Sequence, residues 1–167
     1  METLNMKTLI TAMFAFAFTT SLLVAENQVL WDASKTWPDQ WKTETGISAA
    51  VESGALVLRS KDADFGWAAV NESVPLRDSA TIDLEVKEAR GGQLVVQVEW
   101  MEQDGAFIRA VELLKPGKTG SKITARKLSE FLPEGEKPKR LRLKFWVEGR
   151  NAEIQIAQAV IRAPRSD

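Results

Sequence analysis

From Arg140 to Glu148 the chain alternates strictly between apolar and polar side chains, a pattern few folds accept. Leu141, Leu143, Phe145 and Val147 share one parity; Arg140, Arg142, Lys144, Trp146 and Glu148 share the other. A helix would spread both sets around its circumference, whereas a β-strand sends them to opposite faces. The segment is therefore expected to be a strand with a core face and a basic, indole-bearing face.

The same period of two recurs along the chain, interrupted by turn residues. Strands are expected over 28–34, 65–70, 80–87, 93–101, 106–114, 121–125 and 152–163, and as a hairpin of 47–51 with 55–60 across "ESG". In 80–87, Ile82, Leu84 and Val86 should point inward and Asp83, Glu85 and Lys87 outward. Gly91-Gly92 and Asp104-Gly105 supply the positive backbone angles that tight reversals need. The stretch "RKLSEFL" (126–132) is the one plausible helical turn. About eight to ten short strands at such spacing predict an all-β fold: a two-sheet antiparallel β-sandwich of jelly-roll type.

The start of the chain has another character. After Lys7 comes "TLITAMFAFAFTTSLLVA", uncharged, mostly apolar and ending in small residues, too short and Thr/Ser-interrupted for a comfortable membrane span. Residues 1–25 read as a secretory signal cleaved after Ala25, although Leu23 is large enough to let the cut slip and Met6 would make the more usual start. Residues 26–167 then form a single secreted or periplasmic domain, long enough to bury a core. With no Cys in the chain, it needs no disulfides and carries no cysteine-linked lipid. A formal net charge of −1 gives no reason to expect nucleic acid as a partner.

The segments "VLWDASKTWPDQW", "GWAAV", "LVVQVEWMEQDGAFI" and "RLKFWVEG", across residues 28–162, resemble bacterial carbohydrate-binding modules and, more broadly, galactose-binding-domain-like jelly rolls. The resemblance implies a non-catalytic domain that holds a polysaccharide or glycan on exposed aromatic rings. It also implies that a structural calcium is possible, with Asp32 in the first strand as its candidate ligand. Such modules are usually attached to an enzyme, and here one domain alone is visible.

The residue inventory agrees with a non-enzyme. The absence of His, Cys and Tyr removes the Ser–His–Asp and Cys–His arrangements and any imidazole or thiolate metal site. Two carboxylates across a cleft would suffice for a glycosidase. Asp83, Glu85, Glu99, Glu102 and Asp104, however, are scattered over polar faces and turns, with no pair set apart by apolar surroundings.

Six Trp carry the binding question. Sugar C–H surfaces stack on an indole face, and polar neighbours meet the hydroxyls. Trp31 and Trp100 share parity with core residues. Trp67 follows a glycine, which leaves its phase uncertain and favours the core. Trp37 and Trp41 lie in a polar loop containing Pro38, where either could bind or anchor. Trp146 is the strongest candidate, because its parity sets it opposite Leu143, Phe145 and Val147. Beside it, Arg142 and Lys144 would suit an anionic sugar. They would equally suit the wet face of a strand that resists edge pairing. Gln97 and Glu99 share the polar face of their strand. Arg109 lies opposite Trp100 if Asp104-Gly105 forms a two-residue turn, and opposite Glu99 if the loop holds three residues. The leading expectation is a secreted carbohydrate-binding domain, with an acidic polysaccharide as its candidate ligand. The alternatives are an envelope or extracellular protein-interaction domain and, well behind, a small polysaccharide-cleaving enzyme.

Overall fold

The alternating segments become two antiparallel sheets packed face to face. The computed structural model describes residues 27–132 and 134–165, and the expected export signal lies outside them. The strands are β1 (Asn27–Asp32), β2 (Trp41–Thr43), β3 (Ile47–Glu52), β4 (Ala55–Ser60), β5 (Phe65–Val70), β6 (Val74–Pro75), β7 (Thr81–Arg90), β8 (Gln93–Met101), β9 (Phe107–Gly117), β10 (Lys122–Lys127), β11 (Arg140–Glu148) and β12 (Glu153–Pro164). One sheet runs β10-β7-β12-β4-β3, with β1 also on β12; the other runs β2-β5-β11-β8-β9, with β6 also on β11. The chain crosses between sheets repeatedly, from β7 to β8, β9 to β10, and β10 to β11 to β12, as a jelly roll requires. β2 and β6 are short additions that the sequence pattern did not announce. Among the described residues no helix is long and apolar enough to cross a membrane.

Parity places the core where the sequence expects it. Leu141, Leu143, Phe145 and Val147 of β11 are buried, as are Ile82, Leu84 and Val86 of β7 and Leu94, Val96, Val98 and Trp100 of β8. A fully buried side chain of this size is worth about 2–3 kcal/mol in transfer free energy. At the centre, Phe145 packs on Trp31 and Trp41, with ring centroids 6.4 and 5.9 Å away, and the two indoles meet edge-on at 6.3 Å. Trp100 is fully buried, and its Nε1–H donates to the Phe131 carbonyl at 3.1 Å. Phe131 closes the 3₁₀ turn Leu128–Phe131, which is what the expected helical turn becomes.

The expected hairpin of β3 and β4 forms with Ile47 opposite Ser60 and Glu52 opposite Ala55. The first and last strands also pair, Asn27 lying opposite Pro164. At the other end of β12, the turns at Gly91-Gly92 and Gly149 pack closely. A Cβ on Gly92 would fall inside contact distance of the Glu148 carbonyl oxygen, and one on Gly149 would meet the Gly91 carbonyl.

Candidate functional site

β11 is a central strand, so its outward parity lies in the middle of a solvent face and not at an edge. Trp146 sits there, half-buried, opposite Trp67 of β5 on one side and Val95 of β8 on the other. Its Nε1–H donates to Gln97 Oε1 at 2.9 Å, which fixes the tilt of the ring and the orientation of the amide together. Val95 is only 3% exposed although it faces solvent, which requires a neighbouring side chain to lie over it. The Lys144 ammonium is 4.3 Å from the Trp67 ring centroid and 4.7 Å from that of Trp146. One cation thus steadies two indoles on adjacent strands.

Trp67 is a correction to the sequence reading, which favoured the core. Gly66 takes the inward position on β5, packed so tightly against Ile47 that a Cβ there would clash. The flanking residues Phe65 and Trp67 therefore face outward. Phe65 is 63% exposed, lies opposite Glu148, and extends the aromatic row. Sequence reasoning missed it, although Phe65 shares the parity of Trp67 and alternates with the buried Ala68 and Val70.

Further along the face, Glu99 of β8, opposite Arg142 of β11, is its charge centre. Its side chain is 7% exposed and pairs with Arg142 Nε at 2.5 Å and Lys144 Nζ at 3.5 Å. Arg140 donates to Ser73, through Nε to the hydroxyl at 2.7 Å and through Nη2 to the carbonyl. The basic parity set is thus largely engaged within the protein.

The other candidates lie elsewhere. Trp41, read as a loop residue that could bind, begins β2 and is 8% exposed in the core, so it has no ring face left for a ligand. Trp37 is 72% exposed, on a loop that Trp37 N–H→Gln40 Oε1 and Asn71 N–H→Gln40 O help to hold. It lines a recess with Pro38 and Val51 of β3, in the opposite sheet, away from Trp146. The loop holds three residues, Gln103–Gly105, with Glu102 N–H donating to the Ala106 carbonyl and Met101 opposite Phe107; a register shift beyond it then brings Arg109 opposite Trp100, while Glu99 faces Ala110. Arg109 is exposed on the edge strand β9, and its guanidinium makes no cation–π contact with Trp100 among the described residues.

The acidic residues considered for catalysis have structural partners or occupy turns. Asp83 accepts from Arg162 and from Ala125 N–H, Glu85 pairs with Lys122 at 3.2 Å, and Asp104 accepts from Ala106 N–H. Asp32 caps the 3₁₀ turn Ala33–Lys35: Oδ1 accepts from Ser34 N–H and Oγ–H, while Oδ2 lies 3.8 Å from the Lys35 ammonium. Asp32 thus has local partners on both carboxylate oxygens. No group of three or more His, Cys, Asp or Glu able to hold a metal occurs among the described residues.

The opposite sheet presents a different solvent face. Arg59 bridges Glu52 and Glu153, at 2.5 and 2.8 Å, and Arg90 pairs with Glu88 at 2.6 Å. The Arg59 hydrogen bond holds the Glu52 carboxyl below the usual range, and Gln155 together with Arg59 does the same for Glu153. That face is a ladder of paired charges without an indole platform.

No family model and no curated protein matches the chain. Among solved structures it is similar to a family 22 xylan-binding domain from Paenibacillus barcinonensis, with 14% identity over 84% of this chain and 97% of that one and a TM-score of 0.49. It is also similar to a family 29 carbohydrate-binding module, with 13% identity over 83% and 92% and a TM-score of 0.46. An agarase matches over 84% of this chain but 25% of its own, with 11% identity and a TM-score of 0.47. At these values the likeness is a distant one of fold, and no residue role passes across it.

Proposed function

We propose that this chain is an exported, non-catalytic carbohydrate-binding domain that holds a polysaccharide on the solvent face of β5, β11 and β8. The observation that carries this reading is the cross-strand pair Trp67 and Trp146, steadied by Lys144 at 4.3 and 4.7 Å. Rings already fixed in place lose little side-chain freedom when a sugar stacks on them, and that loss is a main expense of binding. Gln97 and Arg142 border the rings with polar groups, and the buried Glu99 holds Arg142 and Lys144 in place. From Arg142 to Glu148 the face runs roughly 20 Å at the usual rise of a strand, room for several sugar units in a row.

The charge arrangement bears on the ligand. An acidic polysaccharide, suggested by the basic parity set, would have to compete with Glu99 for both Arg142 and Lys144. A neutral chain meets no such competition and is the primary ligand class proposed.

The test is affinity electrophoresis in gels containing soluble xylan, galactomannan or alginate, with and without EDTA. Retardation in a neutral gel, unaffected by EDTA and lost in Trp146→Ala and Trp67→Ala, is expected. Trp37→Ala serves as the control that keeps wild-type mobility. Unchanged retardation in Trp146→Ala, or none for the wild type in any gel, overturns the reading. A second reading, a protein-interaction surface, is favoured by Phe107, 60% exposed on the edge strand β9. It gains if no gel retards the protein.

A further inference from the structure

Beyond Trp146 the aromatic face does not stop at the end of the sheet. Glu148, the next outward residue of β11, lies opposite exposed Phe65 on one side and Gln93 on the other. Both Glu148 and Gln93 also line a cleft of about 420 Å³ with Ala89, Gly92, Lys118 and Thr119. The two surfaces are therefore continuous through Glu148.

The cleft is set by local structure, not by loosely placed side chains. Its floor contains Gly92, where only a glycine permits the close approach to the Glu148 carbonyl. One wall is the turn after β9, held by Ala89 N–H donating to Thr119 Oγ1 at 2.8 Å and Lys118 N–H donating to Ser121 Oγ at 2.9 Å. Opposite it, Gln93 Nε2–H donates to Glu148 Oε2 at 2.5 Å, which orients that carboxylate. Glu148 Oε1 accepts no hydrogen bond among those found for the described residues. Glu148, Gln93, Thr119 and Lys118 thus place a carboxylate, an amide, a hydroxyl-bearing residue and a lysine around one cleft beside the aromatic row. Sugar hydroxyls both donate and accept, and this mixture of groups meets both needs.

We propose that this cleft is a polar subsite continuous with the aromatic face. It takes the sugar unit next to the one stacked on Trp146 and reads its hydroxyls through Glu148, Gln93 and Lys118. The ligand class rests on the carbohydrate-binding reading above.

The experiment uses the full chain and an oligosaccharide ladder cut from whichever of xylan, galactomannan or alginate retards it. Affinities are measured by calorimetry for the wild type, Glu148→Ala, Lys118→Ala and Trp146→Ala, with thermal melts confirming folding. In the wild type, affinity should rise with each added unit up to a plateau. In Glu148→Ala and Lys118→Ala the plateau should come one unit earlier, with the longest oligosaccharide bound roughly tenfold more weakly, the scale of a lost charge-assisted hydrogen bond. If both variants keep the wild-type ladder while Trp146→Ala loses binding, the cleft proposal falls and the aromatic face stands. If Trp146→Ala keeps binding and the cleft variants lose it, the aromatic face falls and the cleft stands. Binding of none of the three polysaccharides by the wild type overturns both.

Discussion

Glu99→Gln is the substitution that most directly probes how the solvent face is held. The change preserves shape and removes one charge, leaving Arg142 and Lys144 without their shared carboxylate. Removing one partner of a fully buried ion pair costs about 3–5 kcal/mol, because the remaining charge is stranded. Here the carboxylate is 7% exposed but the cations are 26% and 17% exposed, so both can recover some hydration. A loss of about 2 kcal/mol follows, equivalent to a fall in Tm of roughly 6–10 °C for a domain of this size. Urea unfolding followed by Trp fluorescence reads it directly, and m should be unchanged because the same surface is exposed. Little of the loss should disappear in 1 M salt, since the cluster is shielded from mobile ions. Lys144→Met measured alone and with Glu99→Gln closes a double-mutant cycle, which should show coupling of about 1 kcal/mol. A loss below about 0.5 kcal/mol for Glu99→Gln would refute the view that Glu99 organises this face.

Two further outcomes follow from other parts of the molecule. Gly92→Ala should destabilise by about 1–3 kcal/mol or more, because the new methyl group meets the Glu148 backbone carbonyl, which cannot rotate away; a wild-type urea midpoint would refute the close packing. On the opposite face, Glu52 and Glu153 have carboxyls held below their ordinary value of 4.5, so their contribution to stability is complete above that pH and is lost as pH falls through the lowered values. Melts from pH 6 to 3 should therefore show a decline that is shallower in Glu52→Gln, and identical pH profiles would count against the pairing with Arg59.

Much of this was legible because a strand's side-chain period is a whole number. Leu141 to Val147 and Ile82 to Val86 repeat without interruption, so their inward faces could be read and Trp146 placed outward by elimination. Legibility failed where something broke the count. Gly66 has no side chain to mark its parity, so the outward turn of Phe65 and Trp67 was hidden; the contact with Ile47 that decides it is long-range. β9 carries register shifts opposite Leu94, Val96 and Trp100, which separate sequence parity from face and explain why Arg109 could not be assigned. Trp41 looked like half of a loop pair because β2 spans only Trp41–Thr43, too short to show a period, and its burial depends on Trp31 and Phe145 from distant segments. The pairing of Glu99 with Arg142 and Lys144 required knowing that β8 and β11 are neighbours, which no local pattern records.

The pairing of Asn27 with Pro164 also governs how the molecule can be tethered. It brings the two ends of the described fold side by side, at the opposite end of β12 from the turns that border the cleft. A linker, surface or fusion partner joined at either end would leave from that same pole. The sandwich would then stand off its support with Glu148 and the cleft at the distal tip and the indole row along its flank. Immobilisation through either terminus should therefore leave the proposed face as accessible as it is in free solution.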